Sequence, residues 1–303
     1  MRINLLKPGG SSAVCIGLFA AGLLAGCSKS EPAVSVEERK AVDFEITAGP
    51  PTRVSITDDY LTEFVDGDEL GVFVTKDVEG SDPGLQPSDN YADNVKMRYS
   101  GLTGNWSIDG QPVYWPGDEE KLRFYFYYPY REEVEDATAI MFSVLEDQSA
   151  REAFDRSYVM FQRADAGYYD EVVNVKLLYF MNLFEVEIVE APYNRGLFEN
   201  GVEAYVGQAY RTMGIDISAM TPVWPAEPEA RTAIKMLRVE TDPDATTYTY
   251  RALVRSSSII VAGEPLFTFE IGDHTIVYNT PQDITDTSNG RVYRYKLTVT
   301  DNL

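Results

Sequence analysis

The chain has 303 residues, 44% of them hydrophobic and 12% aromatic, which is enough apolar surface for packed cores and enough length for about two domains. Its 48 acidic residues against 26 basic ones give a formal charge of −22, a field that repels phosphate backbones and argues against nucleic acid as a partner. His274, Cys15 and Cys27 are the whole supply of histidine and cysteine, so zinc sites, histidine triads and disulfide frameworks have almost nothing to be built from, and no cofactor is expected.

In chain order, Arg2 and Lys7 precede the apolar run Ala13–Ala25, which is too short to span a bilayer and closes on small residues. Residues 1–26 therefore read as a secretory signal peptide. The tetrapeptide Leu24-Ala25-Gly26-Cys27 resembles the lipobox of bacterial lipoproteins, and that resemblance implies acylation of Cys27 as the first residue of the mature chain. Several acyl chains would anchor it stably. Ser28, rather than Asp, implies export to the outer membrane within that class. Loss of the signal leaves 24 basic and 48 acidic residues. Residues 27–40 are polar, lack core-forming periodicity and read as a tether.

Val42-Asp43-Phe44-Glu45-Ile46 alternates apolar and polar residues as a half-buried strand does. Gly49-Pro50-Pro51 interrupts it before a second extended stretch, Thr52–Ile56. Leu70-Gly71-Val72-Phe73-Val74 reads as a central strand, and 76–94 as a long loop. In the run from Leu122 to Tyr130, Leu122, Phe124, Phe126 and Tyr128 share one face, opposite Arg123, Tyr125 and Tyr127. Asp147–Phe154 is a short helical candidate. Strands follow at Val172–Leu178, Leu183–Val189, Ala233–Val239, Tyr248–Val254, Leu266–Ile271 and Thr275–Tyr278, closing with Val292–Val299. Many short strands separated by turn signals predict an all-β fold of two tandem antiparallel sandwiches. A boundary near residue 170 divides it into domains of 41–170 and 171–303.

Chemistry is sparse. Asp66-Gly67-Asp68-Glu69, Asp118-Glu119-Glu120 and Asp242-Pro243-Asp244 lack the spacing of a calcium loop and read as solvated turns. His274 beside Asp273 has no nucleophile motif with it, so a structural place in a hairpin is expected. A carboxylate pair for glycoside hydrolysis has no marker in the sequence. Trp106, Trp115, Tyr125, Tyr127 and Tyr130 offer a sugar-stacking platform, the basis of an alternative reading as a monomeric glycan-binding surface lipoprotein; core packing is the commoner use of such residues. Arg53 follows Gly-Pro-Pro-Thr, an extended segment open to a protease. On spacing alone it is a plain strand residue. Cleavage after it would instead release Val42–Ile46 and leave a groove for another chain's strand.

The order of these features resembles the fimbrillin family, the Mfa-like subunits of type V pili. The resemblance is carried by the lipobox, Val42-Asp43-Phe44, Thr52-Arg53-Val54, Phe64–Phe73, Asn90-Tyr91, Trp106, Tyr114-Trp115-Pro116, Phe124–Tyr130 and Gly290–Val299. It implies transthyretin-like sandwich domains and a non-enzymatic pilus or adhesion subunit exported as an outer-membrane lipoprotein and displayed on an extracellular pilus. It also implies that an arginine-specific protease removes the lipidated segment with its first strand, and that a neighbouring pilin fills the groove. Cys27 is then the lipid site, Arg53 the first choice of cleavage position and Arg39 the second, with Val42, Phe44 and Ile46 on the displaced strand. Asn182 departs from relatives, which often carry histidine there. The sequence ends at Leu303 without an obvious extra strand to donate. Either Val292–Val299, with Tyr293, Tyr295, Leu297 and Val299, is the donor, or the subunit occupies a tip, accessory or uncut anchor position. The adhesion target is not encoded in any motif.

Overall fold

A computed structural model describes residues 40–49, 63–77, 84–117, 120–166, 172–191, 196–225, 229–239, 247–256, 260–284 and 289–299. Among them the elements follow as β1 (Asp43–Ala48), β2 (Glu69–Lys76), β3 (Ala92–Ser100), β4 (Asn105–Ile108), β5 (Leu122–Tyr128), β6 (Ile140–Ser143), α1 (Arg151–Asp155), β7 (Met160–Ala166), β8 (Val172–Tyr179) and β9 (Met181–Glu190). The second half continues with β10 (Val202–Ala209), β11 (Thr212–Asp216), β12 (Thr221–Val223), β13 (Thr232–Lys235), β14 (Leu237–Val239), β15 (Thr247–Arg255), β16 (Pro265–Ile271), β17 (His274–Asn279) and β18 (Val292–Val299). The fold is all-β, as the alternating patterns predict.

The first half is organised around a seven-stranded sheet in the order β1-β8-β7-β5-β2-β3-β4. Its two terminal strands, β1 and β4, approach each other, so the sheet rolls around one of its faces. Val72, Val74, Phe124, Phe126, Met97, Trp115 and Leu177 fill that roll. The alternate residues of the same strands, Phe73, Tyr125, Tyr127 and Phe161, enter a second core with Phe142, Phe180, Phe184 and Phe267. Period-two alternation thus serves two cores at once, and β2 and β5 are buried on both faces because each face has something to cover it.

Gly71 marks how tightly this sheet is packed. It pairs across the ladder with Tyr127, and a Cβ at position 71 would lie 2.1 Å from the Tyr127 ring. The ring lies over the glycine, and its hydroxyl bonds Asn94 Oδ1. Burial pushes that hydroxyl's pKa up.

The second half adds sheets in the orders β13-β10-β16-β17 and β14-β15-β9-β18, with a small sheet β12-β11-β6. The chain passes from one half to the other along β8 and β9, interrupted by Phe180 alone, whose N–H donates to the Val159 carbonyl (2.8 Å).

β7 ends at Ala166 and β8 begins at Val172, on either side of the expected divide near residue 170; the two strands are neighbours in one sheet, and β6 from before that point pairs with β11 from beyond it. Two observations differ from the sequence reading. The helix covers Arg151–Asp155 instead of Asp147–Phe154. Its first four residues are diverted because Asp147 Oδ1 accepts the Ser149 N–H and hydroxyl, while the Gln148 N–H donates to Lys235. The otherwise antiparallel sheets contain two parallel ladders, β1 on β8 and β18 on β9.

Candidate functional site

β1 is the terminal strand of the rolled sheet. It runs parallel to β8 in the register Asp43↔Val172 to Ala48↔Leu177. Asp43, Glu45 and Thr47 face solvent, while Val42 and Ile46 are buried and Phe44 and Ala48 partly so. Phe44 meets the edges of Phe124 (5.5 Å) and Phe126 (6.0 Å). These side chains occupy a slot flanked on one side by Val173, Val175 and Leu177 of β8, the neighbouring strand of the sheet. The start of the strand is held from the other side too. The Val42 N–H donates to the Val113 carbonyl (2.9 Å), and the Trp115 N–H donates to the Lys40 carbonyl (2.9 Å). At its end the Gly49 N–H donates to Leu177 (2.9 Å). Each buried side chain is worth about 1.5–3 kcal/mol, so the strand is held firmly while it remains in place.

β18 repeats this arrangement at the other end of the chain. It is the terminal strand beside β9, parallel to it from Val292↔Leu183 to Val299↔Glu190. Tyr293, Tyr295, Leu297 and Val299 turn inward. Tyr293 stacks on Phe184 (4.7 Å) and Tyr295 meets the edge of Phe267 (5.1 Å). Burial, with Tyr278 and Tyr293 nearby, pushes the Tyr295 hydroxyl up to about 12. Outward, Arg294 faces Glu185 (3.7 Å) and Lys296 pairs with Glu187. Buried Asn182 accepts the Arg291 N–H on Oδ1 (2.9 Å) and so fixes the entry of the strand. That contact gives Asn182 a structural use.

Cys27, Arg39 and Arg53 lie outside the described residues, as does the Thr52–Ile56 stretch. Arg53 falls in sequence between Gly49, which ends the β1 pairing, and Glu63. The acidic turn at 66–69 is a hydrogen-bonded loop: Asp66 Oδ1 accepts the Gly101 N–H (2.9 Å), Asp68 Oδ2 the Val65 N–H (2.8 Å), and Glu69 pairs with Arg98 (2.6 Å). Glu120 pairs with Lys76 (2.5 Å); Asp118, Glu119 and Asp242–Asp244 are outside the described residues. His274 opens β17 opposite Ile271, on the exposed side of a hairpin.

The aromatic row does not form a sugar platform. Trp115, Tyr125 and Tyr127 keep 1% or less of their surface exposed and Trp106 keeps 7%, because they fill the two cores; Tyr130 is partly buried against one of them. Sequence reasoning also missed the floor of the slot. Phe124 and Phe126 carried the right alternation, but which strand they would face was a matter of three-dimensional pairing, and the Val113–Trp115 clamp had no local signal at all.

An all-β scaffold with a terminal strand of each half seated in parallel on one β8–β9 ribbon is the class of protein that this geometry defines. The fimbrillin-like family model matches residues 52–303, and the chain belongs to that family. It is 25% identical over 218 residues to the "Putative fimbrium tip subunit Fim1C" of Bacteroides ovatus, an alignment that takes in 64% of this chain and 38% of that protein. The chain thus spans about two fifths of the length of that curated relative. Two crystal structures share the fold. A "putative cell adhesion protein" of Bacteroides uniformis superposes with a TM-score of 0.62 at 16% identity, covering 88% of this chain and 94% of the other. One of Bacteroides ovatus gives 0.63 at 13%, covering 86% and 92%.

Proposed function

We propose that this protein is a subunit of a cell-surface pilus, in a tip or accessory position, that works by assembly and adhesion and not by catalysis. It reaches the outer membrane as a lipoprotein through Cys27. An arginine-specific protease then cuts after Arg53, and the lipidated segment leaves with β1. A neighbouring pilin's strand takes the vacated place on β8, and in a tip or accessory position the subunit accepts that strand and keeps its own β18 on β9.

The observation that supports this most is the placement of β1: a six-residue terminal strand, joined to the rest by residues that include Arg53, with Val42, Phe44 and Ile46 in a slot that would be left open to solvent without them. Removing it strips β8 of a full ladder, and an exposed strand edge over an apolar groove recruits another strand. Cleavage at Arg39 would behave differently. It would release the lipid tether but leave β1 in place, because Arg39 precedes the strand. The two positions therefore correspond to two outcomes, shedding and assembly.

Limited digestion with an arginine-specific protease, followed by intact mass and gel filtration, tests this reading. Cleavage after Arg53 to give a stable core that forms higher assemblies is expected. An uncut protein that remains a monomer and binds polysaccharide would support the glycan-binding alternative, which the burial of Trp106, Trp115, Tyr125 and Tyr127 disfavours.

A further inference from the structure

The two terminal strands look interchangeable in topology, yet their seats differ in size and in charge. The β8 slot is filled by a β-branched residue, a phenylalanine, a β-branched residue and an alanine, namely Val42, Phe44, Ile46 and Ala48. β18 offers Tyr293, Tyr295, Leu297 and Val299 on its inward face. Its other face, with Arg294, Lys296 and Thr298, is too polar to turn inward. Any parallel register that seats three of the four inward residues of β18 in the β8 slot puts a tyrosine where Val42 or Ile46 sits. Both positions are more than nine-tenths buried. A tyrosine there overfills a packed site and takes a hydroxyl into apolar surroundings.

Charge sorts the strands in the same direction. On the solvent side of its seat, β1 carries Asp43 opposite Val172 and Glu45 opposite Asn174 of β8, with Lys176 next along that face, opposite Thr47. β18 carries Arg294 and Lys296 opposite Glu185 and Glu187 of β9. Moved to β8, the basic strand would give up both carboxylates and lie near Lys176. Opposite charges across a ladder stabilise it and like charges oppose it. Discrimination built from a misfit and a repulsion is the usual way that one pairing is favoured over another.

We propose that the β8 groove is coded against this chain's own β18, so that the strand it accepts comes from a different polypeptide with an acidic outer face and a β-branched, phenylalanine, β-branched, small inner face. Copies of this subunit therefore do not chain together, and its joint is a joint between unlike subunits. This inference rests on the strand-exchange reading above.

The test uses the full chain carrying a site for a sequence-specific protease within 50–62, nicked after folding so that β1 stays seated. Fluorescent peptides spanning residues 40–49 and 291–300 are then added, with anisotropy reporting entry and mass spectrometry reporting release of the β1 fragment. The 40–49 peptide is expected to enter, and the 291–300 peptide to bind at least about tenfold more weakly. Tyr293→Val with Tyr295→Phe should recover part of that loss, and Arg294→Asp with Lys296→Glu another part. Nicked protein alone should stay a single copy on gel filtration. Equal entry of the two native peptides, or self-association of the nicked chain, would overturn the proposal while leaving strand exchange intact. If the 40–49 peptide fails to enter, strand exchange itself falls and the proposal with it.

Discussion

Gly71 and Tyr127 show how a single position governs the rolled sheet. Their cross-strand pairing leaves no room for a Cβ, and the ring's hydroxyl is committed to Asn94. Gly71→Ala must push a buried aromatic aside and disturb a buried hydrogen bond, which costs about 3 kcal/mol. Urea unfolding should show a lower midpoint with an unchanged slope. An unaltered midpoint would mean that the ring moves freely and that the packing described for β2 and β5 is looser than the 2.1 Å approach implies. The sequence presents Gly71 only as one residue of an apolar run, because the tyrosine that needs it is 56 positions away. Asn182 is similar. Its service to the Arg291 N–H appears only once β18 is placed beside β9.

At the level of elements, local alternation was a sound guide wherever one strand face met a core. Asp43–Ile46, Leu122–Tyr128 and Val292–Val299 all lie in strands with the inward residues that their patterns assign. Partners were not legible. Nothing local says that β1 pairs with β8 or that it does so in parallel, since that ladder joins residues about 130 positions apart. Turn composition near residue 170 marks the connection between β7 and β8, two strands paired in one sheet. Within β1, Phe44 meets Phe124 and Phe126 edge-on. Phe44→Ala should weaken the seating of β1 by about 2–3 kcal/mol, less than for a fully buried ring. In chain cut after Arg53, the fragment should then leave about 30- to 150-fold faster, as followed by intact mass over time. An unchanged rate would move the anchoring role to the Val113–Trp115 clamp.

For the whole molecule, the path from sequence to function runs through one architectural fact. Both ends of the folded chain supply a parallel terminal strand, and both lie on the continuous passage from β8 to β9. On the proposed reading, cleavage opens one seat on β8, and the misfit of β18 to that seat directs assembly toward unlike partners. Hydrogen–deuterium exchange over residues 172–179 of β8, measured on intact protein and again after cleavage at Arg53, tests the central claim most directly. β8 amides should be protected in the intact chain, lose protection when β1 departs while β2 and β5 keep theirs, and regain it when a peptide of residues 40–49 is supplied. Protection that persists after the fragment has gone, or that collapses across the whole sheet at once, would contradict the account.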